Sequence, residues 1–171
     1  RAADDAGSRE FLTHANSIRV PRGFWDYPDP ARIVAERIGS ERARTVVAEV
    51  GILQSTLIGA ASRDIVNGRT DVVLIAGGEA KYRTLRAQIL GREAPLTTQA
   101  EDAHPDEVLR PHGDIISPFE VQRYLAMPVN QYSIVENATR AAAGMSLDAH
   151  RVEVARMWAR FSDVAAENPD A

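Results

Sequence analysis

Val47 to Ala61 reads VAEVGILQSTLIGAA, a β-branched run that turns at Gly51 into a helical pattern. Read outward, the stretch belongs to a longer one. Arg44 to Val50 (RTVVAEV) has the β-branched content of a buried strand. Leu53 to Asn67 spaces Leu53, Leu57, Ala60, Ala61 and Ile65 for one helical face, and Asn67-Gly68 supplies the stop. Asp71 to Ala76 (DVVLIA) is a near-continuous apolar run, the pattern of a central parallel strand covered on both sides. Strand, helix and strand make a βαβ unit with a right-handed crossover, and the two strands are expected side by side.

Upstream, residues 1–9 read as the end of a helix that stops near Gly7, and Ala15 to Pro21 (ANSIRVP) as a short strand. The turn-rich PRGFWDYPDP follows, with Phe24, Trp25 and Tyr27 expected to anchor a loop on the core. Asp29-Pro30 starts a helix, with Asp as N-cap and Pro at the first helical position, and Gly39 ends it. Downstream of Gly77-Gly78, Glu79 to Leu90 has a helical pattern. Gly91 to Pro128 reads as irregular, with five prolines and little periodicity. Asn130 to Ala143 forms a helix closed by Gly144. Ser146 opens another, whose Val154, Met157, Trp158, Phe161 and Ala165 are spaced for packing into a core, and which ends at Asn168-Pro169. The fold class is therefore α/β, a parallel or mixed sheet with helices, followed by a mainly helical excursion.

Composition bounds the function. The 171 residues carry a net charge of −4, and their acidic and basic side chains alternate along the helices instead of forming the basic face a nucleic-acid surface requires. No apolar run reaches the roughly 18 residues that span a bilayer, so no membrane segment is expected. The chain opens at Arg1, not Met, without the charged and apolar regions of a signal peptide, and a native start is read as missing. With no cysteine, disulfides, cysteinyl metal sites and thiolate chemistry drop out, and a reducing, cytoplasmic setting is the default. His14, His104, His112 and His150 show no metal-ligand spacing, and no metal is expected. Nucleotide motifs are absent too, since Gly77-Gly78 belongs to neither GxGxxG nor GxxxxGK[ST].

In open α/β sheets ligands bind outside the carboxyl ends of the strands. Gly51 and Gly77 mark two such ends. Gly51, Gln54, Ser55, Gly77, Gly78 and Glu79 are therefore the candidate floor of a pocket.

Gly68 followed by DVVLIAGGE, after a strand–corner–helix, resembles the thiolases. Their pattern is a nucleophilic Cys followed by x-S-G, a helix, a Gly and D-V-V-x-x-G-G-x-E. Set on that pattern by Gly68, Asp71 and Glu79, this chain has Gly51 at the nucleophile, Leu53 at the Ser and Gln54 at the Gly. The piece GMSLDAHRVEVARMWARFSDVAAENPDA, from Gly144 onward, resembles the loop-domain helix of sterol-carrier-type thiolases. The resemblance covers residues 44–80 and 130–171 and is closest to the thiolase-like acetyl-CoA acetyltransferases of actinobacteria. It implies a partial N-terminal α/β domain over 1–79 and a loop domain over 80–171. It also implies an acyl-CoA thioester as ligand, with no tightly bound cofactor.

Because the nucleophile position holds Gly51, no catalytic residue is assigned, and Claisen chemistry by the thiolase route is excluded for this segment. Three readings follow from the resemblance: an acyl-CoA-binding, acyltransferase-type protein of lipid metabolism; a retro-aldolase on steroid or lipid side-chain CoA thioesters with an OB-fold partner; or a non-catalytic scaffold subunit. The resemblance further implies a homodimer, built by pairing Thr45 to Val50 across a two-fold axis.

Overall fold

The computed structural model describes residues 2–168. It divides into two compact units, one running to Ile115 and one starting at Ile116. Residues 107–109 return to the sheet and so belong to the first unit.

The first unit holds β1 (Ser17–Pro21), α3 (Pro30–Ile38), β2 (Arg44–Ala48), α4 (Gln54–Val66), β3 (Val73–Ile75), α5 (Lys81–Ile89) and β4 (Glu107–Leu109), after two single-turn helices, α1 (Ala2–Asp5) and α2 (Glu10–Thr13). The four strands form one parallel sheet in the order β3-β1-β2-β4. The α/β class stands.

Three expectations are corrected. β2 and β3 are parallel but not neighbours, because β1 lies between them and pairs with both. β3 is an edge strand with half-buried residues, not a central one. β2 is flanked by β1 and β4, so its Val46 to Ala48 backbone is already paired on both sides and cannot also pair across a two-fold axis.

The alternation along β1 shows how the layers form. Ile18 and Val20 join Ala31 and Ala35 of α3, with Ala15 and Ala43, in the core of one face. Arg19 points the other way, as the two-residue period of a strand requires. Only 7% exposed, it pairs there with Asp64 of α4. The two crossover helices thus cover opposite faces, and the chain reverses direction across the sheet after β2.

The helix starts follow their chemistry. Asp29 caps α3 by accepting from the Arg32 N–H at 3.0 Å, and Gly39 closes the helix in the left-handed conformation. Asp29 is buried, and it also accepts a hydrogen bond from the buried Thr45 hydroxyl at 2.9 Å. The Thr45 hydroxyl in turn accepts from the Asp106 N–H at 3.0 Å, and the Thr45 N–H donates to the Asp106 carboxylate at 2.7 Å. Gln99 bridges the Asp29 backbone on both sides, donating at 2.7 Å and accepting at 2.8 Å. These bonds tie the segment leading to β4 onto the start of α3.

The second unit contains α6 (Pro118–Gln122), α7 (Pro128–Ala142) and α8 (Leu147–Glu167). α6 falls, like β4, in the stretch read as irregular; its Ser117 and Glu120 form a reciprocal capping box. His150 of α8 lies 2.8 Å from the Glu136 carboxylate of α7, and Arg140 donates to the Met145 carbonyl at 2.7 Å. The α8 stripe does not pack into a core as expected. Val154 is half-buried, whereas Met157, Trp158 and Phe161 are 41%, 63% and 56% exposed and Ala165 is exposed as well. The expected stop at Asn168-Pro169 lies partly outside the described residues.

Candidate functional site

The carboxyl ends of β1 and β3 lie side by side, and the loops that leave them build two adjoining cavities. The first, about 450 Å³, is lined by Pro21, Arg22 and Gly23 after β1, by Ile75 to Glu79 at the end of β3, and by Gln54 at the start of α4. The second, about 410 Å³, lies beside it and shares the Ala76–Glu79 ridge. Its other walls are Val20, Trp25, Tyr27, Pro30, Ile33, Val34, Arg37, Ala80 and Thr97.

Close backbone approach shapes the ridge. A side chain at Gly77 would begin 3.1 Å from the Pro21 ring, so glycine lets β3 and β1 end together. The loop after β1 is latched across that end. The Phe24 N–H donates to the Glu79 carboxylate at 2.7 Å, and the Trp25 indole N–H donates to the Gly78 carbonyl at 3.0 Å. Arg22 lies 5.4 Å from the Trp25 ring centre, donates to the Tyr27 carbonyl at 3.1 Å and pairs with Glu49 at 3.3 Å.

Glu79 is a capping group here. Besides Phe24, it accepts from the Ala80 and Lys81 N–H groups at 2.8 and 2.9 Å, at the start of α5. The Phe24 N–H, more than any other contact, holds its carboxyl below the ordinary glutamate range, with help from Ala80, Lys81 and the Lys81 charge. A carboxylate held ionised by three donors is a poor general acid. At the edge of the first cavity the N-cap of α4 is Leu53, which offers no side-chain acceptor; the Thr56 N–H turns back to the Leu53 carbonyl at 3.0 Å, and no side chain caps the Gln54 and Ser55 N–H groups.

Four of the six residues picked from the sequence, Gln54, Gly77, Gly78 and Glu79, therefore line one cleft. Gly51 and Ser55 do not. Ser55 is exposed on the first turn of α4 and lines neither cavity. Gly51 sits in a turn ahead of α4 with φ of +104°, where an added Cβ would lie 2.5 Å from Ile115 Cγ2 and 3.2 Å from Pro111 Cγ. The nucleophile position of the resemblance is thus filled by neighbouring side chains. Arg22 and Trp25 were not picked from the sequence as site residues. Arg22 follows β1 directly, so the strand-end rule that nominated Gly77 would have found it; Trp25 carried only the signal of an anchored aromatic.

Among the described residues no group of His, Asp and Glu is arranged to hold a metal ion, and no helix is long and apolar enough to cross a membrane. Compared with known proteins, the chain matches no family model, no curated protein and no solved structure.

Proposed function

We propose that this is a thiolase-like protein that binds an acyl-CoA thioester at the carboxyl edge of its sheet, without a nucleophile of its own at the thiolase position. The observation that carries the reading is the convergence of Gln54, Gly77, Gly78 and Glu79 with Arg22 around one cleft. Ligand sites of open α/β sheets lie at such edges, where the chain reverses direction across the sheet. The start of α4, without a side-chain cap, favours a negative or strongly polar group beside Gln54 and Arg22. The adjoining apolar cavity suits the acyl part.

Calorimetry with CoA and acetyl-CoA against AMP tests this. Tighter binding of the CoA compounds supports it; affinity no better than for AMP removes it. Gly78→Trp is the matching variant, because a side chain at Gly78 meets nothing within 4 Å yet would stand on the ridge between the two cavities. It is expected to weaken binding at least about tenfold, the equivalent of about 1.4 kcal/mol.

A non-catalytic subunit is the second reading, favoured by the packing of Pro111 and Ile115 around Gly51. A retro-aldolase with an OB-fold partner would take its acid/base groups from elsewhere than Glu79, which is committed to capping.

A further inference from the structure

We infer that the cavity behind Trp25 holds an aliphatic acyl chain much longer than acetyl, attached to a negatively charged head; this deepens the acyl-CoA reading and rests on it for the identity of the head. The volume is the first argument. At about 410 Å³ the cavity is in the range of small-molecule pockets, whereas one water occupies roughly 30 Å³ of liquid, so a two-carbon group would leave most of it empty.

The lining is the second argument. Val20, Ile33, Val34, Ala76 and the Trp25 ring make most of the surface apolar, with the polar side chains of Tyr27, Arg37, Glu79 and Thr97 also on the wall. Burying aliphatic carbon against it gains roughly fourfold in affinity per methylene, so the total grows with chain length.

The third argument is that the Trp25 wall is built. The indole N–H is fixed on the Gly78 carbonyl, and the ring lies so close over Gly23 that any Cβ there would collide with it. The only polar atom of Trp25 is thereby satisfied, which leaves the ring to act as apolar surface.

The fourth argument is charge. Arg37 also lines the cavity and forms no ion pair among the described residues, while the neighbouring Glu79 carboxylate is already saturated by three N–H donors. A guanidinium left open beside an apolar chamber suits an amphiphile with an anionic head.

The test uses the whole chain carrying Trp158→Phe, so that Trp25 alone reports fluorescence. Acetyl-CoA, decanoyl-CoA, CoA and free decanoate are titrated separately. Decanoyl-CoA is expected to shift the Trp25 emission and to bind at least tenfold tighter than acetyl-CoA. Val34→Phe, which narrows the cavity without adding a second indole, should erase that preference. Arg37→Gln, on an exposed side chain, should weaken decanoyl-CoA and decanoate by about tenfold each. Equal affinity for acetyl-CoA and decanoyl-CoA overturns the inference while leaving the CoA reading in place. Decanoate binding as tightly as decanoyl-CoA keeps the chamber and removes CoA. Binding of none of the four overturns both.

Discussion

Gly51 shows how much one residue decides. In the resemblance it is a missing nucleophile; in the structure it is a turn residue with φ of +104° and no room beside it. An L side chain would meet a disfavoured backbone conformation and the Ile115 and Pro111 side chains together. Gly51→Ala is therefore expected to lower stability by about 1–3 kcal/mol, read as a lower urea midpoint with an unchanged slope. A wild-type midpoint would show that the turn relaxes freely. The same strain applies to cysteine, so restoring the thiolase residue at 51 would not put a thiolate at the first turn of α4. The sequence could place a glycine at the corner, because the β-branched run and the helical spacing on either side are local signals. It could not show Pro111 and Ile115 closing over it, because those residues come from a loop some sixty positions away that carries no periodicity.

At the scale of elements, α4 packs on β3 and is tied to β1 by charge. Leu57 and Ala61 are its buried residues, and Asp64 is its tie to the sheet. Asp64 pairs with the buried Arg19, and its other oxygen takes Arg69 at 2.7 Å. Breaking a buried pair costs more than replacing it, because the remaining charge keeps its desolvation without a counter-charge. Asp64→Asn is expected to lower the thermal midpoint by roughly 5 °C or more, whereas the double variant Arg19→Met with Asp64→Leu should lose less than half as much. Equal losses in the two proteins would mean that Arg19 is served by solvent instead. This tie was hidden in the sequence. An arginine inside the strand SIRVP reads as an outward residue, and only the parallel pairing of β1 with both β2 and β3 makes position 19 an interior one. The strands themselves were legible because each is a short β-branched run; their order depended on which partners each edge found. β4 is no shorter than β3 but lies in PDEVLRP, between prolines and charges and without an apolar run, so a loop was read where the sheet gains its fourth strand.

Over the whole molecule, acid should act on a small set of carboxylates, each tied to a fold contact. The Thr45 N–H does most to hold Asp106 below the ordinary aspartate range, and the Arg32 charge adds to it. The Arg19 guanidinium does the same for Asp64, seconded by Arg69. The Phe24 N–H does so for Glu79, and Ser117 for Glu120. All four are depressed in the folded chain, so the unfolded chain takes up their protons first. Their contribution is complete above the unfolded values of 3.8 for aspartate and 4.5 for glutamate, and it is lost as the pH falls through the lower folded values. Three of these groups fasten the first unit: Asp106 the segment before β4, Asp64 the α4 layer, and Glu79 the latch over β3. The second unit has only the Glu120 capping box in this set. Thermal melting followed by circular dichroism should therefore give a flat midpoint from pH 7 to about 5, then a steep fall towards pH 3. Asp106→Asn should start from a lower midpoint at pH 7 and fall less on acidification, because the variant no longer has that proton to gain. A midpoint independent of pH between 5 and 3 would mean that these carboxylates carry no net preference for the folded chain, and the bonds from Thr45, Arg19 and Phe24 would then fix geometry without adding stability.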